Sequence, residues 1–234
     1  MSATGGGAVS IVPLSGLPEV RAGDDLPRLL GDALDRVGGL QAGDVLVVAQ
    51  KVVSKAEGRV ERTDDELAVV LREARAIRRR RGDFVIAETE HGFVCGGAGV
   101  DHSNAPEPGS VVLLPRDPDA SARRLRDALG ERFGAAPAVV VSDSFGRAWR
   151  QGTTDVAIGV AGFAPLLDLR GTADASGREL RATRIAVADE LAAAAELVMG
   201  KTERIPTAIV RGLALPGTGR ARDLVMPAER DLFR

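Results

Sequence analysis

The chain has 234 residues, 44% of them hydrophobic, enough to bury one large core or two closely packed ones. Its formal net charge of −2 excludes a general nucleic-acid binder, which needs a basic excess to displace counterions. No apolar run is long enough to span a bilayer. The start, Met1-Ser2-Ala3-Thr4-Gly5-Gly6-Gly7, has neither the basic nor the apolar region of a secretion signal. A cytoplasmic protein is expected, with a flexible tail over residues 1–8 and a single domain over 9–234.

Chain order reveals alternating elements. Leu26, Leu29, Leu30, Ala33, Leu34 and Val37 recur at helical spacing, with Asp24 or Asp25 as cap and Pro27 in the first turn. Gly43-Asp44 turns the chain into a strand over Val45–Ala49, which is expected to end near Ser54 at the latest. Thr63-Asp64-Asp65-Glu66 reads as a capping box for a helix carrying Leu67, Val70, Leu71, Ala74 and Ile77. That helix would end in the basic run 78–81, where the helix dipole favours positive charge. Short apolar runs at 84–87, 111–114 and 138–141 read as strands, and a helix from Asp117-Pro118 is expected to end at Gly130. An alanine-rich helix follows over 185–199, stopped by Gly200, and 207–210 is a last strand. The fold class is therefore mixed α/β, with a sheet covered on its faces.

The scarce residues narrow the chemistry. One cysteine, Cys95, precludes an intramolecular disulfide or a cysteine zinc cluster, and His91 and His102 are too few for a histidine-rich metal site. A metal must rest mainly on hard oxygen ligands, which suit Mg²⁺ or Mn²⁺. Of 31 basic residues only Lys51, Lys55 and Lys201 are lysines. Two of them follow a strand at a spacing of four, as phosphate contacts or as solvated surface groups.

Gly200-Lys201-Thr202 superficially resembles the end of a phosphate-binding P-loop. The required first glycine is Ala195, and the tripeptide closes a helix instead of opening one, so it is read as structural. Two acidic loops carry more. In Gly96-Gly97-Ala98-Gly99-Val100-Asp101-His102-Ser103-Asn104 the glycines allow close backbone approach to a ligand, and Asp101 and Asn104 offer oxygens. An Asx-turn explains the same spacing. In Ser142-Asp143-Ser144-Phe145-Gly146-Arg147-Ala148-Trp149-Arg150, Asp143 and Ser144 can hold a metal at a strand's carboxyl end. Arg147 and Arg150 can clamp an anion, unless the segment is a surface turn anchored by Trp149.

These two loops occur in order with Gly16-Leu17-Pro18-Glu19, Lys51-Val52-Val53-Ser54-Lys55-Ala56-Glu57-Gly58-Arg59, Ala188-Asp189-Glu190-Leu191, Arg211-Gly212 and Asp231-Leu232-Phe233. The ordered set closely resembles the coenzyme F420-0:L-glutamate ligase family over nearly the whole chain. The resemblance implies a mixed α/β fold peculiar to that family, an intertwined homodimer, GTP as energy source and two divalent cations. It also implies L-glutamate and F420-0, or its dehydro form, as the substrates joined through an acyl phosphate. By position it assigns Asp101, Asp143 and Ser144 to the metals, and Leu17, Pro18, Glu19, Val20, Gln50, Lys55 and Asn104 to GTP. Our own reading adds Arg147 or Arg150 against the acyl phosphate or the precursor's phosphodiester, and gives Lys55 a much larger role than Lys51.

Ser144 stands where the family has threonine, His102 where it has arginine, and the stretch between Arg59 and Phe84 is shorter than usual. By the resemblance, some relatives carry a C-terminal flavin-binding domain that is not expected here, and a product with one or a few glutamates is expected. Two rival functions share the same pocket: a non-catalytic nucleotide or coenzyme carrier, and a GTP-dependent ligase for another carboxylate.

Overall fold

The computed structural model describes residues 8–232, so Phe233 and most of the expected tail lie outside the described residues. Along the chain come β1 (Ser10–Pro13), α1 (Leu26–Asp35), β2 (Val45–Ala49), α2 (Gln50–Ala56), β3 (Val60–Arg62) and α3 (Glu66–Glu73). Next are β4 (Ala74–Arg81), β5 (Phe84–Thr89), β6 (Val94–Gly96), β7 (Ser110–Val112), α4 (Pro118–Phe133), β8 (Ala138–Arg147) and β9 (Arg150–Ala161). β10 (Leu167–Asp168), β11 (Arg184–Ile185), α5 (Val187–Met199) and β12 (Thr207–Arg211) complete the regular structure.

The central sheet has the order β1-β12-β2-β8-β9, with β2 and β8 parallel and the other pairs antiparallel. Alternation sorts its side chains into two cores. Leu46, Val48, Val139 and Val141 pack beneath α1, α2 and α4, while Val45, Val47, Val140 and Val160 pack beneath α5. Burial on both faces is why β2 and the start of β8 read as unbroken apolar runs. A smaller sheet, β4-β5-β6, packs with α3 around Val69, Val70, Val85 and Ala87. Among the described residues no helix is long and apolar enough to cross a membrane.

Three expectations are corrected. The helix after the expected capping box ends at Glu73, and residues 74–81 are the edge strand β4. Asp65 is its cap, accepting from the Ala68 amide at 3.0 Å. The basic run therefore carries no helix dipole. It lines a sheet edge, where charge obstructs pairing with another strand, and Arg78 turns inward to the buried Glu88. The second correction is that α4 passes through Gly130 and ends at Gly134, whose φ of 71° suits the left-handed cap. Gly130 is needed for packing, since a Cβ there would lie 2.9 Å from that of Ala136.

Third, the segment after Val141 is a surface turn only at its exposed tip, and Trp149 does not anchor it. It continues β8 as one arm of a long hairpin with β9, and Trp149 at the tip is 82% exposed. Near the middle of this hairpin β9 carries one extra residue. Val141 pairs with Gly159 but Ser142 pairs with Ala157, leaving Ile158 as a bulge.

Candidate functional site

β2 stops at Ala49, and the chain turns at once into α2. β8 pairs with β2 only as far as Ser142, then overhangs it with β9 as its remaining neighbour. This leaves a cavity of about 490 Å³ at the carboxyl end of the parallel pair, within the usual range for small-molecule sites.

The two lysines near β2 lie on α2 and not on a strand extension, so their spacing of four puts them on one helical face. Both line the cavity. Lys55 is buried, with Nζ 2.5 Å from Glu19, which fixes the Leu17-Pro18-Glu19-Val20 segment along the cavity wall. Lys51 Nζ lies 2.6 Å from Asp101 Oδ2. Gln50 is fully enclosed. Its side-chain carbonyl accepts from Ser54 at 2.8 Å, whereas its Nε2 has no partner among the described residues and remains a donor for a ligand.

Asp101 arrives from the smaller lobe through a single bridge to Val112. The Asx-turn exists, with the Ser103 amide 2.6 Å from Asp101 Oδ1, and it coexists with the Lys51 pair. Burial alone would raise the Asp101 pKa, but the Lys51 ammonium and the Ser103 donors hold it below the ordinary value. Gly99 serves packing, since a Cβ there would strike Leu114 at 2.6 Å. Asn104 lines the cavity with a left-handed backbone (φ 55°), as does Arg204 (φ 57°). Such strain in non-glycine residues often accompanies binding sites.

Asp143 and Ser144 project to opposite faces of the overhanging strand. Asp143 is half-buried and lines the cavity. Burial raises its carboxyl to about 7, against the pull of Lys51 and with help from the charges of Asp101 and Asp155. Ser144, on the α5 side, donates to Asp155 Oδ1 at 2.5 Å, and Ser142 donates to the other oxygen at 2.9 Å.

Sequence reasoning missed Asp155, Glu196 and the location of Lys201. All three line the cavity beside Ser144. Nothing in the alternating pattern of β9 marks Asp155, and Glu196 is one polar position in an alanine-rich helix. Lys201 is no P-loop lysine, yet Gly200 ends α5 where the next side chain turns into the cavity. Arg147 and Arg150, by contrast, pair across the hairpin tip, away from the cavity wall, and Arg147 donates to the Gln151 carbonyl at 3.0 Å.

Residues 16–212, which include every cavity residue, match the F420-0:Gamma-glutamyl ligase family. The chain belongs to this family. Coenzyme F420:L-glutamate ligase of Methanothermobacter thermautotrophicus is 43% identical to it over 250 aligned positions, covering 97% of this chain and 99% of the relative. The protein of the same name from Methanopyrus kandleri is 44% identical, covering 92% and 94% respectively. That of Methanocaldococcus jannaschii is 41% identical over 83% of this chain and 86% of its own.

The ligase family's chemistry can be tested against the donor set. Among the described residues no three acidic, histidine or cysteine groups converge into a ready-made metal cage. That suits Mg²⁺, which is usually held by one or two carboxylates together with substrate phosphates. Asp101 and Asp143 provide such a pair, and Asp143 makes no ion pair of its own among the described residues. Ser144 stands on the α5 side of the strand, its hydroxyl shared between Asp155 and Lys201.

Proposed function

We propose that this chain joins L-glutamate to F420-0, or its dehydro form, by an amide bond at the expense of GTP. The observation that carries the reading is that all three lysines of an arginine-rich chain line one cavity with the half-buried Asp143 and the buried Asp155. Polyphosphate and carboxylate reactants need that mixture of point charges for alignment. The names of the relatives supply the substrate class.

The γ-phosphoryl group passes from GTP to the precursor's terminal carboxylate, giving an acyl phosphate and GDP. The glutamate amine then forms the C–N bond as the C–O bond to phosphate breaks, and the amine proton leaves with the departing phosphate. Lys51, Lys55 and Asn104 hold the phosphates, the Gln50 amide donates to the nucleotide, and Leu17-Pro18-Glu19-Val20 form its wall. Asp101 and Asp143 would hold a Mg²⁺ or Mn²⁺ ion, which would neutralise negative charge on the reactants. Arg147 and Arg150, on the exposed hairpin tip, meet the anionic precursor as it enters. Exposed Phe84, Val94 and Met226 support a homodimer.

Incubating the protein with GTP, Mg²⁺ or Mn²⁺, L-glutamate and candidate precursors, with mass spectrometry of the products, tests the reading. A precursor heavier by one or a few glutamyl residues is expected, with GTP consumed only when both other substrates are present. GTP binding without turnover would establish a carrier instead, and turnover with another acid a different ligase.

A further inference from the structure

A second cavity, of about 480 Å³, wraps the outer edge of β9 beside the candidate site. Its walls are mostly apolar: Phe93 from the turn between β5 and β6, Phe145, Val156 and Ala157 from the hairpin, and Leu224 from the C-terminal segment. The chain has six phenylalanines, and two of them meet here, which concentrates a scarce residue type at one wall. His91 stacks on Phe93 with 5.5 Å between ring centroids, and Phe93 meets Phe145 edge-on at 6.2 Å. The row is anchored at its far end, where His91 Nε2 donates to the Pro115 carbonyl at 3.0 Å. Aromatic walls of this kind present faces and edges to a flat ring.

Asp189, in the first turn of α5, brings a carboxylate to this cavity. Its Oδ1 accepts from the Ala157 amide at 2.9 Å and so caps the open edge of β9, while Oδ2 has no partner among the described residues. Burial raises the Asp189 carboxyl above its ordinary pKa, and the Ala157 amide offsets only part of the effect. A further N–H donor at Oδ2 would relieve that desolvation. Arg230 lines the same cavity and offers donors for carbonyls flanking such an N–H. An apolar pocket with this small polar set suits a flat ring that carries an imide edge. The cavity also adjoins the candidate site on the hairpin. Asp143 pairs with Val156, and Phe145 follows two residues on, so the three share one face. The aromatic wall thus begins about 7 Å along the strand from Asp143.

We propose that this second cavity binds the deazaflavin ring of F420-0, stacked against Phe93 and Phe145, with the N–H of its pyrimidinedione edge donating to Asp189. The proposal rests on the ligase reading, which supplies the substrate. The ring takes no part in amide formation. Its flexible tail carries the phosphodiester and the reacting carboxylate back along the hairpin toward Asp143. Asp189 and the two phenylalanines therefore set which acid is accepted, while the lysine-lined cavity handles the phosphoryl group.

The test titrates the full chain with F420-0, followed by the fluorescence of its ring, and separately with a non-hydrolysable GTP analogue. Asp189→Asn retains a carbonyl for the Ala157 amide but loses the charged acceptor, and should raise the Kd for F420-0 by roughly tenfold or more. Phe145→Leu keeps apolar volume without the aromatic face, and should raise it by about three- to tenfold. Affinity for the GTP analogue should stay within about twofold in both. F420-0 methylated on the edge nitrogen gives a check free of mutation, and should bind the wild type roughly tenfold more weakly than F420-0. Unchanged affinity of either variant, or of the methylated ring, would overturn the proposal and leave the ligase reading intact. A Phe145→Leu chain with altered oligomeric state and unaltered F420-0 affinity would overturn it too, assigning the cavity to a second copy of the chain. If a variant does not fold, the methylated ring still decides. A wild type that binds the GTP analogue and no F420-0 would sink the ligase reading together with the ring site.

Discussion

Lys51 Nζ sits 2.6 Å from a carboxylate oxygen of Asp101, joining the first turns of α2 to a loop of the smaller lobe. This pair predicts a larger part for Lys51 than its sequence position implied. Lys51→Ala would leave Asp101 and Asp143 as uncompensated neighbours, and Lys55→Ala would remove a buried charge beside Glu19. Each is expected to raise the apparent KM for GTP by roughly 10- to 100-fold, the range for a lost charge-assisted hydrogen bond. Steady-state kinetics of the two variants decides. A near-normal Lys51→Ala enzyme would restore the unequal roles read from the sequence.

Asp143 predicts a pH dependence of definite sign. Burial first, and neighbouring carboxylates next, raise its folded-state pKa to about 7, above its unfolded value. Its contribution to stability is therefore fully present below the ordinary carboxylate value and is lost as pH rises through about 7. Without metal, Asp143→Asn should be more stable than wild type at pH 8, by about 2 kcal/mol or roughly 4–8 °C in Tm. Below about pH 4, where the unfolded carboxyl is protonated as well, the two should match. Apparent affinity of the wild type for Mn²⁺ should climb over the same interval, since the metal must displace the proton. Ligation by Asp143→Asn should be lost. Calorimetry at the two pH values would expose an error if the variant were less stable at both.

Asp155 is almost fully buried and accepts from two serines. Asp155→Ala leaves two hydroxyls without their acceptor and removes a partner of Lys201, costing about 2–4 kcal/mol. Urea denaturation would measure it. A loss under about 0.5 kcal/mol, the scale of an ordinary surface change, would mean that the serine–aspartate network is not formed.

The hairpin tip separates binding from ligation. Arg147→Ala with Arg150→Ala should leave the affinity for a GTP analogue within about twofold and lower ligation at least tenfold, an effect of roughly 1.4 kcal/mol or more. Fluorescence titration and turnover on the same preparation make the comparison. Weaker nucleotide binding would place the arginines at the phosphates instead.

Gly159 tests the packing of α4 on β9. A Cβ there would collide with the backbone carbonyl of Pro118. Gly159→Ala should cost about 1–3 kcal/mol through overpacking, against little change for Gly146→Ala, where the added methyl meets open space. Thermal unfolding of both variants checks the contrast.

Much of this was legible because local signals agreed with tertiary demands. Pro27 after an aspartate cap, the valine run of β2 and Gly200 after an apolar helix each point one way, and the fold follows them. The failures fall where long-range pairing overrode a local pattern. Residues 74–81 carry helical spacing, but Gly82 lets β4 turn back and pair with β5. Of the residues picked from motif loops, Asn104 and Asp143 line the cavity and Asp101 reaches its Lys51. Asp155, Glu196 and Lys201 come together only through the packing of β9 and α5 against β8, which no spacing along the chain encodes.

The bulge at Ile158 acts as a phase shifter between two halves of one hairpin. With continuous pairing, Ser142 would face Ile158, Ser144 would face Val156, and Asp155 would stand across from Phe145 on the opposite side of the sheet. The extra residue lets the inner half keep its alternation toward two apolar cores while the outer half brings Asp155 against both serines. Adding or removing one residue there would alter no atom of the serines or the aspartate, yet it would rotate the two groups apart. The hairpin's residue count is thus as much a part of the site's chemistry as the identity of any side chain in it.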